Sequence, residues 1–213
     1  INTSNDDTHY HKLYFTPEAL LTYNVKNGAL RLFGKMSTIT PNISSLSNNR
    51  TMTIPGLIYS GNPWLKCALD KNLSLTYSLN LPWLNMDLTA DVRKIDDDFS
   101  TYYQWQTLGN ERVIVGRDEN CDYLLNYGFT GSLTLRPFSN DLLSIQLESG
   151  YRWQKESSDI IGIHRHRYLP LAWTVDVRKG CWGAEYYQRI PHKMLSGSFI
   201  NSAENTQNIM VFY

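Results

Sequence analysis

The chain has 213 residues, with 20 basic and 20 acidic side chains and a formal net charge of zero. Its mean hydropathy of −0.38 fits a soluble domain and a transmembrane barrel equally well, because the lumen and loops of such a barrel are polar. No run of 18 apolar residues occurs, which excludes membrane-spanning helices, and the scattered basic residues indicate no nucleic-acid partner.

The first predicted strands form a hairpin. From Leu13 to Val25, apolar residues recur at alternate positions, which is the period of a β-strand. The chain is predicted to turn at KNG, residues 26–28, because Asn27 and Gly28 both tolerate positive φ, and to return as ALRLFGKMS at 29–37. A long connection rich in Asn, Ser, Pro and Gly follows and ends at Cys67.

The most regular alternation lies in NLSLTYSLNLPWLNMDLTADVRK, residues 72–94, which predicts two strands joined by LPWL. One face contains Leu73, Leu75, Tyr77, Leu79, Met86, Leu88, Ala90 and Val92. The other contains Ser74, Thr76, Ser78, Asn80, Asp87, Thr89, Asp91 and Arg93. A half-polar strand of this kind packs its apolar face against either a protein core or a lipid bilayer.

Five further strands are predicted after a second long polar stretch at 96–120. They lie at 121–138, 142–156, 167–179, 181–190 and 208–213. The turns FSND at 138–141 and KG at 179–180 join two pairs, whereas a medium loop at 157–165 and a final loop at 191–204 separate the pairs. The prediction is therefore one domain of about nine strands over residues 1–213.

The connections between these strands alternate between short turns and long loops. Outer-membrane barrels join antiparallel neighbours by short periplasmic turns and long outer loops, whereas a soluble sandwich mixes turn lengths and uses Greek-key crossovers. The alternation predicts an all-β fold, an antiparallel up-and-down transmembrane β-barrel. The short turns would face the periplasm and the long segments the outside of the cell.

Charge and aromatic residues follow the same pattern. Mid-strand charges fall on the polar face, at Asp87, Asp91, Arg93, Arg136, Glu148, Arg152, Asp176, Arg178 and Glu185. In a sandwich these charges would be solvated, and in a barrel they would line a watery lumen. The opposite register of the same strands, which would face lipid in a barrel, contains almost no charge. Several aromatic residues fall mostly toward strand ends, where they would form interfacial girdles in a barrel or part of the core in a sandwich. They are Tyr23, Trp83, Tyr151, Trp153, Trp173, Trp182 and Tyr186.

Two stretches carry a resemblance to a known family. LRLFGKMSTITPNISSLS and then IYSGNPWLKCALDKNLSLTYS resemble the barrel of TonB-dependent outer-membrane transporters of the type common in Bacteroidetes. The match is most specific at Gly61-Asn62-Pro63, Leu65-Lys66 and the segment 72–77, although Cys67 stands where the family usually has Pro. LNYGFTGSLTLRPFSNDLLSIQLESGYRW and SFINSAENTQNIMVFY resemble later hairpins of that barrel more loosely.

The resemblance implies that the chain is part of a transporter in the outer membrane of a Gram-negative cell, which imports a metal chelate, a glycan or a peptide. It implies as partners the outer-membrane lipid, the rest of the barrel and its plug, TonB and a surface lipoprotein. No plug or energy-coupling box is recognisable, and nine is an odd number of strands. The first segment, INTSNDDTHYHK, has neither an initiator Met nor the basic and apolar regions of a secretion signal. We therefore expect a C-terminal fragment of a larger barrel.

The alternative function is a soluble or surface-exposed β-sandwich binding module with no transport role. It would form the same alternating strands but bury their apolar face against a second sheet. The sequence leaves the binding residues of either protein unknown.

Candidate metal ligands are sparse, and the sequence predicts no metal site and no cofactor. His164 and His166 share one side of an extended segment and could bind a metal with a third ligand, but a basic loop-to-strand junction is the simpler interpretation. The same holds for His9 and His11. The acidic segments 96–98 and 118–122 lack the D-x-D-x-D-G order of a calcium loop and are interpreted as solvated.

The sequence predicts no enzyme and no catalytic residue. The motifs G-x-S-x-G, H-E-x-x-H and a Gly-rich phosphate loop are absent from it. Ser196 and Ser198 with His192, in the last loop, come nearest to the Ser–His pair that an enzyme at a barrel rim would need. The cysteines are Cys67, Cys121 and Cys181. They have no zinc spacing, and either three free thiols or one disulfide is compatible with their positions.

Overall fold

The computed structural model describes residues 13–138, 142–196 and 199–213, which form sixteen strands and a four-residue helix, α1 (Ile43–Leu46). The strands are β1 (Glu18–Val25), β2 (Gly28–Ile39), β3 (Arg50–Ile54), β4 (Leu57–Ser60), β5 (Ala68–Asn80), β6 (Leu84–Asp96), β7 (Phe99–Leu108), β8 (Glu111–Asn120), β9 (Tyr123–Leu135), β10 (Leu143–Ser158), β11 (Gly162–Tyr168), β12 (Leu171–Lys179), β13 (Trp182–Ile190), β14 (Lys193–Ser196), β15 (Phe199–Ser202) and β16 (Thr206–Phe212). The described part of the chain contains no helix with the length and apolar content of a membrane span.

Ten of these strands form one sheet in the order β1-β2-β5-β6-β9-β10-β12-β13-β16, with β11 also paired to β10. All its described pairs are antiparallel, and the nine strands of this order correspond to the nine predicted ones. The predicted all-β, antiparallel, up-and-down architecture is therefore confirmed. In the described residues the sheet is an open, partial barrel with β1 and β16 at its edges.

The long strands reach the length that a bilayer requires. A tilted transmembrane strand needs roughly 9 to 11 residues, and β5, β6 and β9 have 13 residues each while β10 has 16. The strand predicted at 167–179 is interrupted at Leu169-Pro170, so that β11 and β12 lie end to end along one edge of β10. Proline has no N–H to donate to a ladder, which accounts for the break.

The long connections are not the loops that their polar composition indicated. Two of them contribute the strands of a second sheet, ordered β3-β4-β8-β7, in which β4 and β8 run parallel. Ile58, Val113 and Val115 form its small buried core, with Leu108 packed against them. Gly109 has a φ of 63° in the Gly109-Asn110 turn between β7 and β8. This Gly-Asn pair is a hairpin signal, but the polar residues around it gave the segment the composition of a loop.

The first hairpin turns inside the predicted segment KNG. Val25 pairs with Gly28, so Lys26 and Asn27 form the turn, and Asn27 has the positive φ of 62°. β1 begins at Glu18 rather than at Leu13, whose side chain is fully exposed. Of the predicted FSND turn, residues 139–141 lie outside the described residues.

Gly128 of β9 lies where a side chain would collide with β10, which supplies a test of this register. A Cβ there would lie 2.2 Å from the carbonyl oxygen of Tyr151, whereas a Cβ at Gly34 would lie 3.6 Å from Leu73 Cδ1. In the full-length protein we expect Gly128→Ala to lower the free energy of unfolding by about 1–3 kcal/mol through overpacking, and Gly34→Ala to change it little. Urea unfolding followed by gel migration of unheated samples measures both, and equal stabilities would contradict the register.

Candidate functional site

The two faces of the main sheet differ in chemistry from one edge to the other. Directly opposite residues lie on the same face of a sheet, and the ladders pair Leu75 with Ala90 and Thr76 with Thr89. The apolar register of β6 continues through Ala90–Phe129 and Phe129–Tyr151 pairs into β9 and β10. The alternation of the sequence is therefore kept in register across the described sheet.

Burial identifies the polar face as the concave one. The buried side chains of the main sheet, as far as the structure describes it, are Ala29, Ala68, Ser78, Ile95, Gln154, Glu156, Ser158 and Ala172. All of them belong to the polar register, where side chains of a curved sheet converge. On the apolar face, Leu75 and Leu88 are 43% and 48% exposed, against 5% for Ser78. This arrangement is the reverse of a water-soluble fold.

The convex apolar face carries charge only near strand ends. Across the described strands of the main-sheet order, the charged residues of this register are Lys71, Lys94, Asp96, Lys155 and Lys179. Between them lies a band without charge, as hydrocarbon requires, since Arg or Lys at the bilayer midplane costs about 2–4 kcal/mol. The band has the chemistry of a lipid-facing surface.

Aromatic side chains flank this band on both sides. Toward the long connections, Tyr127 stacks on Trp153 with ring centroids 5.4 Å apart, and Tyr151 meets Trp153 edge-on at 4.5 Å. Toward the short turns, Trp182 packs on Tyr213 at 4.5 Å and Trp83 is 48% exposed. These two groups lie at opposite ends of the strands, as the interfacial aromatic girdles of a transmembrane barrel do.

The concave face is lined by ion pairs between neighbouring and next-neighbouring strands. Arg93 of β6 donates two hydrogen bonds to Asp70 of β5, at 2.9 and 2.8 Å. Arg152 of β10 reaches Asp91 of β6 at 2.5 Å, across the intervening strand β9. The residue that β9 places between them is Gly128, so the absence of a side chain there makes room for this contact.

A groove of about 380 Å³ lies on the concave face near its polar centre. Asp87, Glu148, Arg189 and His192 contribute its charged and titratable groups. Asp87 accepts a hydrogen bond from Ser78 at 2.5 Å, while Gln146 donates to Glu148 at 2.8 Å. These groups bring both signs of charge to a surface that water can reach, which suits a hydrophilic solute rather than an apolar one.

A buried contact fixes the second sheet to the main one. Tyr102 of β7 donates a hydrogen bond of 3.1 Å to Glu156 of β10, a side chain that is 1% exposed. Nearby, burial raises the pKa of Asp98 and raises the pKa of the Cys121 thiol to about 12, and the charges of neighbouring carboxylates add to both effects. The second sheet is therefore joined to β10 of the main sheet through a buried polar contact.

The two candidate metal-ligating histidines lie close to backbone carbonyl oxygens. His164 and His166 do share one face of β11, but His164 Nε2 is 2.8 Å from the carbonyl oxygen of Ile161 and His166 Nε2 is 2.9 Å from that of Lys193. No group of three or more His, Cys, Asp or Glu side chains with metal-binding geometry occurs in the described ranges. His9 and His11 lie outside those ranges.

The remaining candidates are engaged in structural contacts or separated. Asp96 pairs with Lys71 at 2.6 Å and with Lys94 at 2.5 Å. His192 stacks on Tyr168 at 5.1 Å, whereas Ser196 ends β14 and Ser198 lies outside the described residues. The cysteines Cys67, Cys121 and Cys181 are all free thiols.

Comparisons with known proteins agree with this geometry. A family model described as "Outer membrane protein beta-barrel family" matches residues 1–168. Among solved structures, the siderophore receptor PirA from Acinetobacter baumannii is similar, with a TM-score of 0.56 and 16% sequence identity over 92% of this chain and 34% of that chain. The chain thus spans about a third of that receptor, and the likeness concerns the fold. No curated protein matches the chain.

Adjacent positions at the middle of β6 test which face meets lipid. Leu88 lies in the uncharged band, whereas Thr89 lines the concave groove and contacts Thr76 Oγ1 at 3.0 Å. In the full-length protein in bilayers, we expect Leu88→Arg to cost about 2–4 kcal/mol more than Thr89→Arg, because only the first charge enters hydrocarbon. Denaturant titration of folded protein in vesicles gives the difference, and a larger cost at Thr89 would reverse the assignment of the faces.

Proposed function

Since the chain belongs to the outer membrane protein beta-barrel family and is located in the outer membrane, we propose that it is part of a TonB-dependent transporter that imports a nutrient. The cargo class is a metal chelate, a glycan or a peptide. The likeness of fold to a siderophore receptor supports import over the other functions of barrels. The resemblance of the segment from Gly61 to Lys66 to transporter barrels supports it independently.

The observation that carries the proposal is the polar concave face behind an uncharged convex face. A wide barrel encloses an aqueous interior, and a solute crossing the membrane through it meets side chains of this face. The ion pairs Asp70–Arg93 and Asp91–Arg152 keep these charges compensated, so that the wall stays hydrated without holding one charged solute tightly. Such a wall suits passage, whereas tight binding of cargo would fall to other parts of the transporter.

The surface-exposed sandwich is the weaker alternative. A sandwich covers the apolar face of each sheet with the other sheet, but in the described residues the second sheet attaches through Tyr102 to Glu156, which belongs to the polar register. The proposal also assigns no catalytic step to this chain. The plug, TonB and a surface lipoprotein are the proposed partners of this barrel in the complete transporter.

Uptake measurements on whole cells test the proposal. Cells with and without the full-length gene receive labelled iron chelate, oligosaccharide or peptide, and accumulation is measured before and after a protonophore collapses the proton-motive force. We expect uptake of one class to fall to background on deletion of the gene and on addition of the protonophore. The dependence on energy follows because TonB transmits the proton-motive force of the inner membrane.

Surface binding of the same labelled compounds at 4 °C is the control that separates binding from passage. Binding that persists in protonophore-treated cells while uptake stops supports an energised transporter. Uptake that continues without proton-motive force would identify a passive channel, and gene-dependent binding without any uptake would identify a binding module.

A further inference from the structure

Beyond the loop-end aromatic residues, cations replace the apolar side chains on the convex face. Lys155 is the next outward position after Trp153 on β10. On β11, Arg165 pairs with Lys155 and Arg167 pairs with Trp153, so both arginines also point outward. The two histidines between and before them face the concave side, which means that HRHR alternates its basic groups between the two faces.

In the described residues, no ion pair forms at Lys155, Arg165 or Arg167, whereas Lys71 and Lys94 on the same face share Asp96. The ammonium groups of Lys155 and Lys94 both lie over the ring of Tyr123, at 5.2 and 5.3 Å from its centroid. A cation–π contact of this kind holds Lys155 in place without neutralising its charge.

The cations line a groove of about 500 Å³ together with Tyr127 and Trp153. Two residues along a strand span roughly 6.6 Å, so Lys155 and Arg165 lie about that far beyond Trp153, while Arg167 lies level with it. The groove thus presents uncompensated positive charge next to an apolar surface. An amphipathic anion fits both the charged and the apolar part of this groove, because its charged group neutralises the cations while its apolar chains cover the aromatic rings.

We propose that Lys155, Arg165 and Arg167 bind the headgroup phosphate of an outer-leaflet lipid, whose acyl chains lie along Tyr127 and Trp153. Guanidinium groups suit this role, since their planar donors match phosphate oxygens in pairs. The proposal rests on the outer-membrane location and on an outward orientation of the long connections. It does not depend on which solute is transported.

Lipid retention by the purified full-length protein tests this site. The protein is placed in nanodiscs containing lipid A, the phosphorylated glycolipid of outer membranes, and the lipid A that survives detergent washing is counted by native mass spectrometry. Arg165→Gln/Arg167→Gln is compared with Lys26→Gln/Lys179→Gln, which removes the same charge from exposed side chains at the short turns. We expect roughly 100-fold weaker retention in the first variant only, because two charge-assisted hydrogen-bonding groups are lost.

Two further comparisons identify which chemical groups of the protein and of the lipid are needed for binding. Arg165→Lys/Arg167→Lys keeps the charge and should retain part of the binding, while lipid A without its phosphates should not be retained by the unaltered protein. The site would be refuted by equal retention in both double variants, by equal retention of dephosphorylated lipid A, or by displacement with millimolar inorganic phosphate, which would identify a soluble-anion site. Migration of unheated protein confirms folding in every arm, and no arm requires transport.

Discussion

The two-residue period of the strands, kept in register across the sheet, is the constraint on which the rest of the structure depends. A slip of one residue between any two strands would bring the apolar face of one against the polar face of the other. The pairs Tyr77–Leu88 and Ser78–Asp87 illustrate the match, because each face meets its own chemistry. A lipid-facing surface and a hydrated wall are therefore consequences of one alignment.

That alignment also explains where the unusual residues are. Gly128 is required because Asp91 and Arg152 reach each other over β9. Ion pairs occur on the concave face at mid-strand, whereas the convex face acquires charge only where the strands approach the membrane boundary. Lys155 and its arginine neighbours on β11 mark that boundary, just as the aromatic residues beside them do.

The main sheet was predictable from local sequence, since alternation assigns Leu88 and Asp87 to opposite faces without knowledge of any partner strand. The second sheet was not, because the parallel pairing of Ile58 with Val115 joins residues far apart in the chain and follows from no local period. The contact between Tyr102 and Glu156 is equally remote in sequence. For the candidate site, alternation placed the two histidines of HRHR on one side correctly. Only the pairing of β11 with β10 brings its two arginines beside Lys155 and Trp153.

The central claim, that the convex face meets hydrocarbon, is tested most directly by spin labels placed singly at positions 86–91 of the full-length protein in bilayers. Collision rates with oxygen, which concentrates in lipid, are compared with those of a water-soluble nickel chelate. The account predicts oxygen maxima at Met86, Leu88 and Ala90, and nickel maxima at Asp87, Thr89 and Asp91. The opposite phase, or a flat profile in which neither reagent alternates, would contradict it.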